Sequence, residues 1–422
     1  MFKSKNILFF SLLILILMLV TVQPIINYLY YVILLVCLNL GNKKRFLLNP
    51  FFLFVPTIFS IIFYNSNFSS FLIDIPISIH LLIFSGMTSF IAGLILSDKN
   101  QIFKELKATI LHENKNIKLF WIVLILGLLP HLIGFINQGF PILNLTEIKE
   151  LRENYLPAGL SYFTFFLPLT IIVAFSLNNK KLKFISITLN ALISIVKVSK
   201  FDVLIFSLFL LFSIVKYSKK NNKSFRKHIT TLGSLALVPL IFNWFFSLRN
   251  LNNSQVTNYL SPTLIDDDSV FLALSLPYLY LTSAWSNFTE TFLTIDKFNY
   301  GIYTFYPFIS ALKIKDLFSY QSHKVIYQWP FNTHAFLTDY YMDFGLLGVL
   351  LMPFLVGIFV NYCYSKCIND SDPLKDGKFL VLGIPVLMFF FSNHYTSVGY
   401  PFIVYILYSI LGLFSTMKLK IK

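Results

Sequence analysis

The segment Asn332–Gly348, NTHAFLTDYYMDFGLLG, places an amide, an imidazole, two carboxylates and several hydroxyls where a long polar loop runs back into an apolar helix. His334 suits the role of general base toward a hydroxyl, because an imidazole changes protonation near neutral pH. Asp339 or Asp343 would orient it. The two carboxylates are four residues apart, so a helix through them would put both on one face. Gly345 and Gly348 follow on the same helix and would leave room for close helix packing. A charged group at mid-bilayer depth costs about 2.5–3.5 kcal/mol on insertion scales, which makes such a cluster a functional-site expectation. The plainer alternative is a polar helix entry facing water. His394, in the short turn SNHYTS, is a weaker candidate base.

Cations are scarce on the same side of the chain's topology. Arg152, Lys200 and Arg249 fall in three different connections close to the expected membrane boundary. A guanidinium stays charged and binds phosphate bidentately, so these residues could hold a lipid diphosphate; headgroup anchoring is the alternative for each. Lys197, Lys200 and Asp202 share the tight turn VKVSKFDVL, read either as snorkelling anchors or as an anion site. Trp285, Trp329, Tyr278, Tyr280, Tyr300, Tyr303 and Tyr306 could stack on sugar rings or form an interfacial belt. Together with Asn332 and Tyr340, the two Trp are the candidate sugar contacts. Asp266–Asp268 has no second acidic cluster beside it and reads as a solvated loop, so no metal site is expected. Cys37, Cys363 and Cys367 lack His or carboxylate neighbours and read as free thiols.

These residues must be positioned by membrane helices. The chain has 422 residues, 56% hydrophobic and 13% charged, with a mean hydropathy of +0.71. A soluble domain could not hide that much apolar surface, so the expected class is an all-α polytopic membrane protein. Apolar windows suggest about twelve spans, near 6–22, 25–40, 46–64, 75–97, 119–136, 160–177, 183–199, 201–216, 229–247, 335–363, 379–396 and 398–416. The net charge of +15 does not require nucleic acid. About 25 of the 34 basic residues fall in alternate connections, which places those connections and both termini on the cytoplasmic side. The first span lacks a small-residue cleavage site and reads as a retained anchor. Residues 1–422 then form a single membrane domain with two larger outer loops. Loop 137–159 carries Arg152. Loop 248–334 contains an apolar run, Val270–Ala284, expected as a re-entrant or interface-lying helix. No internal repeat, Gly-rich phosphate loop or Ser–His–Asp signature is present.

Three pieces of the chain resemble the bacterial oligosaccharide repeat-unit polymerases of the O-antigen polymerase (Wzy) type. They are the Gly139-Phe140-Pro141 turn followed by Arg152, Lys200 in SKFD, and the late segment with Asn332, Thr333, Asp343, Phe344, Gly345 and Gly348. Lys200 stands where family members often have Arg, and an ammonium does not bind phosphate bidentately. The resemblance implies a glycosyltransferase in the bacterial cytoplasmic (inner) membrane. It would transfer a glycan from undecaprenyl diphosphate to another lipid-linked repeat unit on the outer face. Arg152, Arg249 and Lys200 would stabilise the departing diphosphate, and His334 or a neighbouring carboxylate would serve as base. No cofactor or metal is implied. The implied partners are the lipid-linked oligosaccharides, membrane lipids, a chain-length regulator and a flippase, with no nucleic acid. Arg152, Arg249 and His334 are expected to share one outward-opening cavity. Two alternatives use related substrates: an O-antigen ligase, and a flippase, which should line a central cavity with charge and show related halves.

Overall fold

The computed structural model describes residues 24–43, 48–66, 72–99, 113–143, 151, 155–156, 159–217, 270–312, 314, 333–368, 372–396 and 400–416. Within them every regular element is helical: α1 (Pro24–Lys43), α2 (Pro50–Tyr64), α3 (Ile77–Lys99), α4 (Glu113–Gln138), α5 (Phe166–Ser176), α6 (Lys180–Val196), α7 (Lys200–Tyr217), α8 (Val270–Thr294), α9 (Tyr306–Ala311), α10 (Thr338–Ile368), α11 (Pro373–Leu387) and α12 (Tyr400–Thr416), with 3-10 turns at Pro141–Leu143 and Leu160–Phe165. These are not one-for-one the expected spans. The windows at 6–22 and 229–247 lie outside the described residues, and α9 is only six residues long.

Local chemistry explains several starts. Asn49 accepts from the backbone N–H groups of Phe51 at 3.1 Å and Phe52 at 3.2 Å, with Pro50 at the first helical position. Asn179 caps α6 through Lys181 and Leu182, and Ser199 caps α7 through the N–H of Asp202. Each cap satisfies orphan donors of the first turn.

Among the described residues, three stretches are long and apolar enough to cross a membrane: Ile77–Ser97, Ile117–Leu143 and Thr338–Ile368. The apolar helices and their burial suggest a membrane protein. On α4, Trp121, Ile125, Leu129, Leu132 and Ile136 form an exposed apolar stripe at helical spacing, a face that lipid would cover at low cost. Polar groups instead lie inside. Asn65 donates to Asn27 at 2.7 Å, Asn190 to the Leu167 carbonyl at 3.1 Å, and the Tyr30 hydroxyl meets His80 at 3.1 Å.

The chain divides into two compact units. The first comprises Met1–Lys104, Asn253–Ile368 and Leu382–Pro401; the second comprises Glu105–Asn252, Asn369–Val381 and Phe402–Lys422. The first unit is organised around α3 and α10. A Cβ on Gly93 would lie 2.2 Å from the Phe354 carbonyl oxygen, and one on Gly357 would lie 2.4 Å from the Phe90 carbonyl oxygen. The backbones therefore touch where both helices carry glycine, as small residues allow in lipid. Asn361 donates across the same seam to the Leu94 carbonyl at 2.9 Å, and Ser89 donates to that of Leu350. In the second unit Gly127 of α4 plays the same part against the Leu167 backbone of α5.

Two sequence expectations need revision, and one helix is longer than its apolar run. α8 runs on from the Val270–Ala284 run to Thr294 as one 25-residue helix. α11 stops at Leu387 rather than 396, and residues 388–391 turn back through Phe391 and Ser392 N–H bonds to the Met388 carbonyl. α10 is broken at Gly345, where φ is 59° and ψ is −138°.

Gly93→Leu should lower the thermal stability of the detergent-solubilised protein, with overpacking of about 1–3 kcal/mol. Ser89→Ala should cost under about 1 kcal/mol, the usual worth of an interhelical hydrogen bond. Melting curves followed by size-exclusion recovery test both; a Gly93→Leu protein that melts with the wild type would contradict the close contact.

Candidate active site

The site in the first unit is assembled where helices stop. Residues 333–337 enter α10 without regular structure, so their backbone groups need partners. One side is supplied by the 388–396 turn: His334 N–H donates to the Phe391 carbonyl at 3.2 Å and Phe336 N–H to that of Phe389 at 3.1 Å. Asn393 adds a bond to the Phe336 carbonyl at 2.9 Å, and the Phe336 and Phe389 rings stack with centroids 4.4 Å apart. The other side is α8. Ala335 N–H donates to the Ala284 carbonyl at 3.3 Å, Asn287 donates to the Thr333 carbonyl at 2.5 Å, and the Ser283 and Thr333 hydroxyls meet at 2.8 Å.

This clamp holds His334 beside the start of α10. Its Nε2 lies 3.4 Å from Oδ2 of Asp339, and the two side chains are 9% and 4% exposed. The same carboxylate accepts the Thr396 hydroxyl. His334 and Asp339 thus lie within ion-pair distance, although the approach at Nε2 falls short of a hydrogen bond. His394 is buried in the same turn as Thr396. It lies past the end of α11, and burial, with His334 nearby, pushes its imidazole down to about 3.

Asp343 is engaged by different groups from those that meet Asp339. Its oxygens accept the backbone N–H groups of Tyr303 at 3.1 Å and Thr304 at 2.5 Å. Asn299 and Tyr300 N–H groups take the Met342 and Asp343 carbonyls at 2.9 and 3.1 Å. The helix end before Gly345 is thus capped by the 299–304 loop. Gly345 and Gly348 serve this break rather than packing of neighbouring helices. A Cβ on Gly345 would meet the Phe298 ring at 2.8 Å, and one on Gly348 would lie 2.0 Å from the Tyr340 carbonyl oxygen of its own chain.

Two candidate sugar contacts are core residues. Trp285 is fully buried and its indole N–H donates to Ser60 at 2.8 Å. Tyr340 is also buried, with its hydroxyl bonded to the Asn393 side chain. Neither presents a face to a sugar. Tyr300 does stand out: it is 85% exposed, at a φ of 50°. Asn332, Trp329, Arg152 and Arg249 lie outside the described residues, as do Asp266–Asp268; for Lys200 only the backbone is described.

In the second unit, Lys197 pairs with Asp202 at 2.5 Å and lies over the Tyr155 ring, 5.5 Å from its centroid. The Tyr155 hydroxyl donates to the His131 carbonyl at 3.1 Å; burial, with Asp202 close by, raises its pKa. Asp202 therefore already supplies the counter-charge to Lys197. Sequence reasoning missed His131 and Tyr155 here, and Thr396, Asn393, Ser283 and Asn287 in the first unit. The polar run SNHYTS within apolar sequence was the available signal for two of them. Ser283 and Asn287, four apart on α8, were another.

Asp343→Ala would leave two backbone N–H groups without their acceptor, costing about 1–3 kcal/mol each if they stay buried. Amide exchange at 299–304 should accelerate, whereas Asp343→Asn should retain part of the protection. His394 binds a proton in the unfolded chain near its ordinary pKa of about 6.5 but in the folded one only near 3. The unfolded state then binds more protons across that window, so stability falls as pH drops through it. His394→Gln should flatten the acid limb of a melting-temperature profile relative to wild type.

Among known proteins, no family model, no curated protein and no solved structure matches this chain.

Proposed function

We propose that the chain is a glycosyltransferase that polymerises undecaprenyl-diphosphate-linked oligosaccharide repeats into surface polysaccharide. The observation that carries the reading is the shielded His334–Asp339 pair, 3.4 Å apart, at the entrance to a long apolar helix. A buried base with its orienting carboxylate suits removal of a proton from a sugar hydroxyl.

In the proposed reaction, the acceptor hydroxyl oxygen attacks the anomeric carbon of the donor glycan. The bond from that carbon to the diphosphate oxygen breaks, its electron pair leaves with the diphosphate, and the hydroxyl proton passes to His334. Diphosphate is a good leaving group, so cationic stabilisation matters more than a strong general acid. Arg152, Arg249 and Lys200 are assigned that role. Asn332, Trp329 and the exposed Tyr300 are the assigned sugar contacts, with Tyr300 taking the place first given to Trp285. No cofactor is assigned.

The fuller topology belongs to the same proposal. It has about twelve membrane helices, both termini on the cytoplasmic side of a bacterial inner membrane, and chemistry on the outer face, supported by the alternation of Lys and Arg between connections. A chain-length regulator and a flippase are the proposed protein partners.

The test is the length ladder of surface polysaccharide in a deletion strain complemented with wild type or His334→Ala. Losing a general base removes about 10²–10⁴-fold in rate. The expected result is a ladder with wild type and single-repeat glycan with a well-expressed His334→Ala. Polymer that accumulates on the lipid carrier in the deletion strain would replace this reading with the ligase. Lipid-linked units trapped inside would replace it with the flippase.

A further inference from the structure

The connection that follows α8 in the first unit has an unusual composition. Residues 298–312 carry no charged side chain, although Asp296 and Lys297 stand just before them and Lys313, Lys315 and Asp316 just after. Phe298, Tyr300, Phe305, Phe308 and Leu312 are exposed. Apolar side chains gathered in this way on one surface mark a place where something apolar is met.

The backbone of the segment is satisfied as lipid demands and water does not. Asn299 and Tyr300 N–H groups donate to the Met342 and Asp343 carbonyls, and those of Tyr303 and Thr304 to the Asp343 carboxylate. Those of Ile302, Phe305, Tyr306, Phe308 and Ile309 donate to carbonyls within the segment itself. Pro307 has no N–H to satisfy, and among the described residues 299–309 only Gly301 makes no such bond. A loop in water can leave these donors to solvent, whereas one among acyl chains must close them internally.

Contact with α10 fixes the depth. A Cβ on Gly345 would meet the Phe298 ring at 2.8 Å, and one on Gly301 the Phe344 ring at 3.0 Å, so the segment packs on the break in that helix. Past the break, Leu346, Leu347, Leu350, Leu351 and Leu355 form an exposed apolar stripe on a stretch long and apolar enough to cross a membrane. At about 1.5 Å per residue, Leu346 to Lys366 extends about 30 Å, the thickness of the hydrocarbon core. Gly345 then lies at one edge of that core, and the exposed rings of 298–312 continue the stripe that lipid would cover.

We infer that residues 298–312 lie in the bilayer at the edge of its hydrocarbon core, with Phe298, Phe305, Phe308 and Leu312 against acyl chains. Asp343 makes that position tolerable by accepting two N–H groups for which lipid has no acceptor. Asp296 and Lys297 reach the headgroups. Tyr300, the most exposed of the rings, suits the boundary itself, where its hydroxyl still meets the aqueous side and a sugar there. The inference rests on α10 crossing the membrane and not on the polymerase reaction.

The experiment places single nitroxide labels on the full chain in phosphatidylcholine nanodiscs, at Phe305→Cys and Phe308→Cys, with Leu351→Cys and Lys297→Cys as benchmarks. The native cysteines are buried, and the unsubstituted chain treated with the same reagent sets the background. Electron paramagnetic resonance compares collisions of each label with oxygen, which partitions into acyl chains, and with a nickel chelate, which stays in water. Labels at 305 and 308 should resemble the one at 351, with oxygen contact exceeding nickel contact. The label at 297 should show the reverse. Nickel contact at 305 and 308 equal to that at 297 would overturn the inference. So would exclusion of both reagents, because protein rather than lipid would then cover the segment. Asp343→Ala should shift the 305 and 308 labels toward nickel while 351 stays as in the parent chain. Asp343→Asn, which keeps one acceptor oxygen, should give a smaller shift and is the variant read if Asp343→Ala does not fold. Labels unmoved by either substitution would remove Asp343 from the inference.

Discussion

Lipid offers no hydrogen bonds, so a backbone group freed where a membrane helix ends must find a partner inside the protein. Much of the first unit follows from this constraint. Its described residues include three such interruptions: the entry at 333–337, the break at Gly345 and the turn at 388–396. Each is satisfied by another part of the same unit. The entry segment bonds the turn and α8, and the helix end before Gly345 bonds the 299–304 loop. The polar side chains that share this work are those a chemical step could use. A polar cluster that is expensive to bury is thereby made affordable and rigid.

The frame around it is set by a different interaction. α3 and α10 approach so closely at Gly93 and Gly357 that carbonyl oxygens of one occupy the space a side chain on the other would need. Between lipid-embedded helices, hydrophobic burial adds little, and tight van der Waals contact is what remains. The long helix that begins beside His334 is thus held by its C-terminal half, leaving its N-terminal turns to bend at Gly345 and serve the site. Position at one end and freedom to break at the other come from different glycines of the same helix.

The legibility of the site varies residue by residue. His334 and Asp339 were readable because an imidazole and a carboxylate at the mouth of an apolar helix are costly, and cost implies a reason. Asp343 looked identical by that logic. It differs only because Gly345 ends the helix two residues later and brings the 299–304 N–H groups to its carboxylate. Trp285 carried the signature of a sugar platform, yet its indole is enclosed and spent on Ser60. An aromatic ring says that something flat will be covered, not what covers it. Thr396 had almost no signal of its own, since a threonine in a polar turn is ordinary until the partner across the fold is known.

Hydropathy and helical spacing, which are local, pointed to an all-helical chain suited to a membrane, and to most of the helices. They also located one expensive polar cluster. Which carboxylate meets the imidazole, which glycine packs against a helix and which breaks one, and which aromatic ring stays open were decided only in the tertiary structure. Those outcomes depend on contacts between segments tens to hundreds of residues apart, as between Ser60 and Trp285 or Asp339 and Thr396. Periodicity along a chain records which face of a helix is apolar, but not which hydrogen-bonding group will arrive at the other.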